Sequence, residues 1–377
     1  MRIAIFENIM TDGGNEIEFN RILVDELKNI GHEVFFYVPE NFTFRLDYKV
    51  PVNKIKGDSI SYTNSGGIKK IFASIKREIN RRRWYSQLLN AQNNFDALII
   101  PTATYRYLRT LNNSELKKIS VPLIFVFHGI NPNEAPNFIK ESEKLLPNSN
   151  IKMLVISLAS DIFGKTLKNI YNVLPPVFIP RDLKFESVKN PPEVLTIGFF
   201  GQYRREKKIQ DLLAAFVKGN YTRKVKLLVQ GATMHKEDAE EFERIIKPYE
   251  ESENISVLRG ALIGKDWQRA IINVDALLLP YSAPRFKYHW GGMLFTALGY
   301  EKPVVSSDDM NPEIFSKYNI GETFKSGNLE DLTLKLENFI NNFDKNFPAY
   351  QNNLKTLHEK FSPNNFAKSL ESVILEK

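Results

Sequence analysis

The chain of 377 residues exceeds the length of about 250–300 residues at which a single hydrophobic core usually stops growing, so we expect two domains. It contains no cysteine, which excludes disulfide frameworks, thiolate zinc sites and cysteine nucleophiles. The net charge is +7, and no apolar run reaches the ~18–20 residues of a membrane span. The first residues follow a strand pattern and not that of a signal peptide, so we expect a soluble, cytoplasmic protein.

Short apolar strands alternate with helices along the first half of the chain. Strands are predicted at residues 2–6, 33–38, 97–100, 123–127 and 153–157. The clearest helix between them keeps Phe19, Leu23 and Leu27 on one face. This alternation is typical of a parallel α/β sheet, which binds its ligands at the carboxyl ends of its strands.

A proline-rich stretch, residues 172–194, is interpreted as the connection between two domains. The pattern then restarts, with strands predicted at 196–200, 224–231, 255–260, 276–281 and 303–308. We therefore predict two doubly wound, Rossmann-like α/β domains, 1–182 and 183–355, that face each other across a cleft. A terminal helix within 356–377 is predicted to cross back to the first domain.

Two loops of the first domain are candidates for a site. The segment TDGGNE places Gly14 between a strand and a helix, where the backbone can approach a phosphate or a sugar. A plain tight turn explains it equally well, and the spacing of a dinucleotide fingerprint is absent. His128 directly follows the strand 123–127, at the ligand-binding edge, although a lone histidine is more often structural.

The loop after the strand 196–200 is the most pointed motif. Gly201 leads into four cations, Arg204, Arg205, Lys207 and Lys208, just before a helix. Cations at a helix N-terminus suit a diphosphate, whereas the plain alternative is a solvated basic loop.

A second helix start follows the strand 276–281. The backbone amides of Gly291, Gly292 and Met293 can donate to a phosphate there. Tyr281 and Arg285 lie on the loop before this helix. We interpret these five residues, with the basic loop, as a donor-binding region.

In their order and spacing these motifs resemble the retaining GT-B glycosyltransferases of the large family-four group. The resemblance covers nearly the whole chain, including FHG, VIS, VFIP, FFGQYRREKKIQDLLAAF, LLVQG, VLRGALIGKDWQRAIINVDALLLPY and ALGYEKPVV. It implies the GT-B fold and transfer of a sugar from a nucleotide-sugar donor.

The resemblance also implies roles for single residues. Lys207 would bind the donor diphosphate, and His128 would contact the transferred sugar. Gly14 would face the donor phosphate or the acceptor sugar. Gln230 and Gly231 would line the pocket for the nucleotide base. The amides of residues 291–293 would hold the distal phosphate.

Three positions depart from the family pattern. Gln202 stands where the family has an arginine after the glycine, so Arg204 or Arg205 would supply that charge. The family's paired glutamates fall on Tyr288 and Thr296, neither of which is acidic. The donor sugar and the ribose must then be bound by other groups.

We therefore predict a hexosyl- or related glycosyltransferase with a glycan or lipid-linked acceptor, acting with retention in bacterial-type surface polysaccharide or glycoconjugate synthesis. His128, Arg204 and Lys207 are its candidate catalytic residues. No Asp-x-Asp motif occurs, and we expect no metal, no cofactor and no nucleic-acid partner. The alternatives are a catalytically degenerate partner subunit and a sugar-nucleotide epimerase of the same fold, for which no convincing set of extra acids is visible.

The segment 68–89 is predicted to be a basic helix. Its apolar side chains form one stripe: Ile68, Ile71, Phe72, Ile75 and Ile79, with Trp84 near the end. The cations around the stripe are Lys76, Arg77, Arg81, Arg82 and Arg83. Either the stripe packs on the first domain, or the helix is a peripheral contact to an anionic membrane at the inner face of the cell, near a lipid-linked acceptor.

Overall fold

The structure is a computed structural model that describes residues 1–10, 15–60, 68–159, 161–164, 166–186, 190–233 and 235–376, with backbone alone for 15 and 68–70. The chain folds into two compact units. One comprises the first strand, residues 16–175 and the chain from Pro363 on, and the other comprises residues 176–362. The sequence prediction places these divisions at residues 182 and 355.

In the described part of the first unit, seven strands form one parallel sheet in the order β3-β2-β1-β4-β5-β6-β7. The strands are β1 (Arg2–Phe6), β2 (Glu33–Pro39), β3 (Val52–Ile55), β4 (Ala97–Ile100), β5 (Leu123–Phe127), β6 (Ile151–Ile156) and β7 (Ile170–Val173). The central strands are buried on both faces, which explains their continuous apolar sequence. The edge strands β3 and β7 are largely uncovered, and the sequence pattern misses both.

The helices of the first unit connect these strands. They are α1 (Asn15–Asn29), α2 (Ile68–Asn90), α3 (Tyr105–Thr110), α4 (Asn113–Leu116) and α5 (Ala135–Leu145).

The second unit repeats the plan with six described parallel strands in the order β10-β9-β8-β11-β12-β13. The strands are β8 (Leu195–Phe199), β9 (Val225–Gly231), β10 (Ile255–Arg259), β11 (Ala276–Leu279), β12 (Val304–Ser307) and β13 (Gly321–Phe324). The helices are α6 (Ile209–Lys218), α7 (Lys236–Ile246), α8 (Lys265–Ile272), α9 (Gly292–Gly299), α10 (Pro312–Phe315), α11 (Leu329–Asn341) and α12 (Phe343–Lys360).

The last helix, α13 (Pro363–Leu375), belongs to the first unit. Lys152 of β6 donates from its ammonium to the carbonyl oxygen of Val373 at 2.6 Å. The rings of Phe19 and Phe366 meet edge to face with their centroids 5.7 Å apart. The end of the chain is therefore part of the core of the first unit.

Each sheet has one point at which the strand order reverses. In the first unit β1 pairs with β2 on one side and with β4 on the other, and in the second β8 pairs with β9 and β11. Loops that leave such neighbouring strands diverge and open a crevice at their carboxyl ends. A binding site is therefore expected at the segments after β1, β8 and β11.

Candidate functional site

The basic loop after β8 is held by its neighbours on both sides. Tyr203 donates its backbone N–H to the carbonyl of Ala232, at 2.7 Å, just beyond β9. Ser282, beyond β11, donates its N–H to the carbonyl of Glu206 at 2.8 Å. These two hydrogen bonds hold the loop at the point where the strand order of the second sheet reverses.

Lys207 carries an ammonium that forms no ion pair with a described carboxylate. Its ammonium lies 5.2 Å from the ring centroid of Tyr281, and no described residue pairs with it through a carboxylate or a hydrogen bond. Gly201 makes the room, because it has a φ of +118° and a Cβ there would lie 2.7 Å from Nζ. The surrounding protein desolvates the ammonium, and Arg204 and Arg285 repel it. Together these effects outweigh the attraction of Glu206 and lower the pKa of Lys207 to about 7. An anionic ligand would supply the missing partner.

The other cations of this loop have acidic neighbours. Arg205 donates from Nε to Glu241 at 2.8 Å, and Lys208 lies 4.0 Å from Asp211. Arg204 is half-exposed, 3.9 Å from Glu206. Of the predicted pair, Lys207 is therefore the desolvated cation and Arg204 the solvated one.

Glu206 organises the cations of the site and is not among the residues predicted from the sequence. Arg285 forms a two-pronged ion pair with this carboxylate, one prong being Nε to Oε2 at 3.2 Å. The guanidinium of Arg285 also stacks over Phe286, 4.8 Å from its ring centroid. The signal in the sequence is the single acid within the run RREKK.

Tyr281 forms the aromatic surface beside Lys207. The residue is buried, and its hydroxyl has no hydrogen-bond partner within the described chain. Burial raises the pKa of Tyr281 well above its ordinary value, so the phenol keeps its proton and remains a donor. The ring packs against Phe199 and Phe286.

The helix α9 begins beside this loop region with unpaired backbone donors. Phe295 is the first residue whose N–H bonds back into the helix, to Gly291 at 3.0 Å. No described group accepts from the N–H of residues 292–294. Thr296 donates its hydroxyl to the carbonyl of Gly292 at 2.8 Å, and Tyr288 lies beneath the ammonium of Lys287. The helix start can therefore receive an anion.

Gln230 and Gly231 connect the ends of three strands. The buried Gln230 side chain accepts from the N–H of Gly201 at 2.9 Å and donates to the carbonyl of Gly260. Gly231 accepts from the N–H of Gly260 at 2.9 Å. The side chain of Gln230 thus shapes the edge of the sheet, and the base pocket remains a prediction.

His128 lies directly after β5 in the first unit. Its Nε2 is 2.9 Å from the carbonyl oxygen of Pro101, so this nitrogen carries the proton. The ring meets Phe19 edge to face at 4.7 Å. Burial lowers the pKa of His128 to about 4, although the hydrogen bond opposes this shift. The imidazole is therefore neutral at ordinary pH.

Glu7 follows β1 and is a second residue that was not predicted from the sequence to belong to a site. Its carboxylate accepts from the N–H groups of Asn8 and Ile9, at 2.8 and 2.9 Å, and from the side-chain amide of Asn20 at 2.7 Å. Burial raises the pKa of Glu7 to about 7 against these hydrogen bonds. Glu7 orders the turn that leads towards Gly14, which itself lies outside the described residues.

The predicted surface of α2 needs a correction. Arg81 is only 5% exposed, with Nη1 3.4 Å from Glu78 and the guanidinium stacked over Tyr107. Trp84 is also buried, on the opposite side of the helix from the apolar stripe. The prediction that Arg81 faces a membrane or acceptor is therefore wrong, because this side chain is part of the core.

Residues 180–355 match the family described as Glycosyl transferases group 1. The match spans almost all of the second unit. It includes the Lys207 loop, Tyr281 and the start of α9. Comparison with curated proteins finds no match for the chain.

Solved structures resemble the chain along its whole length. HepE of Anabaena, in complex with UDP and glucose, is 14% identical over 99% of each chain with a TM-score of 0.71. WaaG, a glycosyltransferase involved in lipopolysaccharide biosynthesis, is 13% identical over 100% of each chain with a TM-score of 0.63. A mutant of S. aureus TarM, in complex with fondaparinux, alpha-GlcNAc-glycerol and UDP, is 12% identical over 100% of each chain, with a TM-score of 0.68. Both units thus have the parallel, Rossmann-like α/β architecture of the GT-B fold, and the predicted fold class is confirmed.

Two further findings concern the described residues alone. None of the described helices is both long enough and apolar enough to cross a membrane. In the same part of the chain, no group of three or more histidines, aspartates or glutamates is placed to hold a metal ion.

Proposed function

We propose that the protein transfers a sugar from a nucleotide-sugar donor, bound by the second unit, to a glycan or lipid-linked acceptor. The observation that carries this is Lys207, a desolvated ammonium without an acidic partner among the described residues. UDP in the HepE and TarM complexes supports a nucleoside diphosphate as the ligand, and the glucose of the HepE complex supports a hexose. The involvement of WaaG in lipopolysaccharide biosynthesis supports a surface glycan as the product.

The reaction breaks the bond between the anomeric carbon and the diphosphate oxygen and forms one to the acceptor oxygen. Negative charge grows on the leaving diphosphate, and Lys207, Arg204 and the amides at the start of α9 would stabilise it. The acceptor proton would pass to the departing phosphate oxygen, with retention at the anomeric carbon and no protein nucleophile. These cations would do the work of a metal ion.

The first experiment separates binding from chemistry. Nucleoside diphosphates with different bases are tested by calorimetry, and the matching nucleotide sugars are then incubated without acceptor. We expect one base to bind and its nucleotide sugar to release diphosphate slowly. Failure of every nucleoside diphosphate to bind would overturn the proposal.

A catalytically degenerate partner subunit is the second candidate, because no acid stands at Tyr288 or Thr296. Diphosphate binding without any release, even with acceptor glycans present, would favour it. Isomerisation of the sugar nucleotide with its diphosphate bond retained would instead identify an epimerase.

His128→Ala is expected to lower sugar transfer about 10- to 100-fold while nucleoside diphosphate affinity stays within about twofold. The neutral imidazole can hydrogen-bond a sugar hydroxyl, a contact worth about 1–3 kcal/mol when its loss leaves a buried group unpaired. Steady-state kinetics and calorimetry on one preparation measure the two effects. His235→Ala, on the partly buried histidine before α7, is the control. Equal loss of nucleotide affinity in His128→Ala would contradict this assignment.

A further inference from the structure

The first half of α2 exposes a ridge of four large apolar side chains. Ile71, Phe72, Ile75 and Ile79 are each between 52% and 68% exposed. No other described helix leaves more than one large apolar side chain this open. An exposed apolar cluster of this kind marks a surface that is covered by something else.

The orientation of α2 is determined by its other face. Trp84, Tyr85 and Leu88 are buried in the core of the first unit, and the Tyr85 hydroxyl donates to the carbonyl of Tyr107 at 2.9 Å. At 100° per residue Trp84 and Leu88 lie opposite the ridge, and Tyr85 lies at its flank. The ridge therefore cannot turn inward, and the interpretation that it packs on its own domain is wrong.

The open face of α2 is also positively charged. Lys76, Arg82 and Arg83 are exposed on the same side as the ridge, and the ammonium of Lys76 pairs with Asp58 at 2.7 Å. Arg83 has no acidic partner among the described residues, and Arg82 lies 3.8 Å from Glu78. That carboxylate also pairs with Arg81 and Arg109, so it cannot neutralise the face.

We infer that this face of α2 docks on an anionic bilayer surface, whatever reaction the protein catalyses. The ridge enters the headgroup boundary while Arg82 and Arg83 contact lipid phosphates and carboxylates. A second copy of the chain fits less well, because pairing two such helices brings arginines against arginines or buries them against the ridge. A nucleic acid would pair its phosphates with the arginines but would leave the apolar ridge exposed to water, so it also fits less well.

Sedimentation with lipid vesicles tests this docking. Wild-type protein is mixed with neutral phosphatidylcholine vesicles and with vesicles containing about one third phosphatidylglycerol, at low and high salt. We expect binding that needs the anionic lipid and weakens with salt. Phe72→Ser with Ile75→Ser, or Arg82→Glu with Arg83→Glu, should each weaken partitioning at least about tenfold.

The controls change equally open positions elsewhere. Leu334→Ser removes an apolar side chain that is 52% exposed on α11, and Lys236→Glu reverses an exposed charge on α7. Both should bind vesicles like the wild type. Phe72→Trp should shift its emission to the blue on anionic vesicles, whereas Leu334→Trp should not.

Three outcomes would overturn the inference. The protein could bind neutral and anionic vesicles equally. It could bind with an affinity that neither pair of substitutions changes. It could also fail to bind vesicles. A dimer seen by analytical ultracentrifugation and dissociated by Phe72→Ser would instead assign the ridge to a second copy of the chain.

Discussion

Lys207→Met is expected to lower kcat/KM for sugar transfer by about a hundredfold or more. A cation that meets growing charge on a departing diphosphate contributes about 2–4 kcal/mol to the transition state. Lys207 is suited to this because no described carboxylate forms an ion pair with its ammonium. Steady-state kinetics with the donor identified by calorimetry measure the effect.

The matched control is Lys208→Met in the next residue, whose ammonium lies 4.0 Å from Asp211. It should retain most of the activity. If Lys207→Met turns over like the wild type, the diphosphate does not bind at this loop. If both variants lose activity equally, the effect comes from the net charge of the loop and not from Lys207.

The pKa of Lys207 adds a pH signature to the same experiment. With a pKa of about 7 the ammonium is present below pH 7 and is lost as the pH rises. A bound diphosphate favours the charged form, so binding above pH 7 takes up a proton and affinity falls, at most tenfold per pH unit. Calorimetry from pH 7 to 9 measures this slope, which Lys207→Met should abolish.

Gly299→Ala is expected to lower the free energy of unfolding by about 2–4 kcal/mol. A Cβ at this end of α9 would lie 1.9 Å from the carbonyl oxygen of Phe178 and 2.7 Å from its carbonyl carbon. Those backbone atoms cannot move freely, because the N–H of Phe178 donates to Phe295 at 3.2 Å and its ring stacks on Trp290 at 4.8 Å. Urea unfolding followed by circular dichroism measures the loss.

Gly260→Ala separates this packing effect from backbone strain. Gly260 has a φ of +91°, but no atom lies within 4 Å of a Cβ built there. It should lose only about 1–2 kcal/mol, the cost of a left-handed conformation. An equally small loss in Gly299→Ala would contradict the close approach of α9 to the Phe178 segment.

Local pattern was sufficient for the central strands and for selecting the loop of Lys207 and the start of α9, whose roles remain predictions. β4 and β5 are predicted at their observed bounds, because strands buried on both faces require unbroken apolar runs. Lys207 and the start of α9 follow from glycine and charge at strand-to-helix connections. The edge strands β3 and β7 escape this reasoning, since open strands carry no such run.

Tertiary packing decided which charges are available to a ligand. Four cations lie within five residues of the loop after Gly201. Only their contacts show that Lys207 has no acidic partner among the described residues, whereas Arg205 has Glu241. Helical spacing likewise grouped the apolar ridge of α2 but did not say which face turns inward. The burial of Trp84 and Arg81 determines that, because one face of a helix can enter the core only by leaving the opposite face in water.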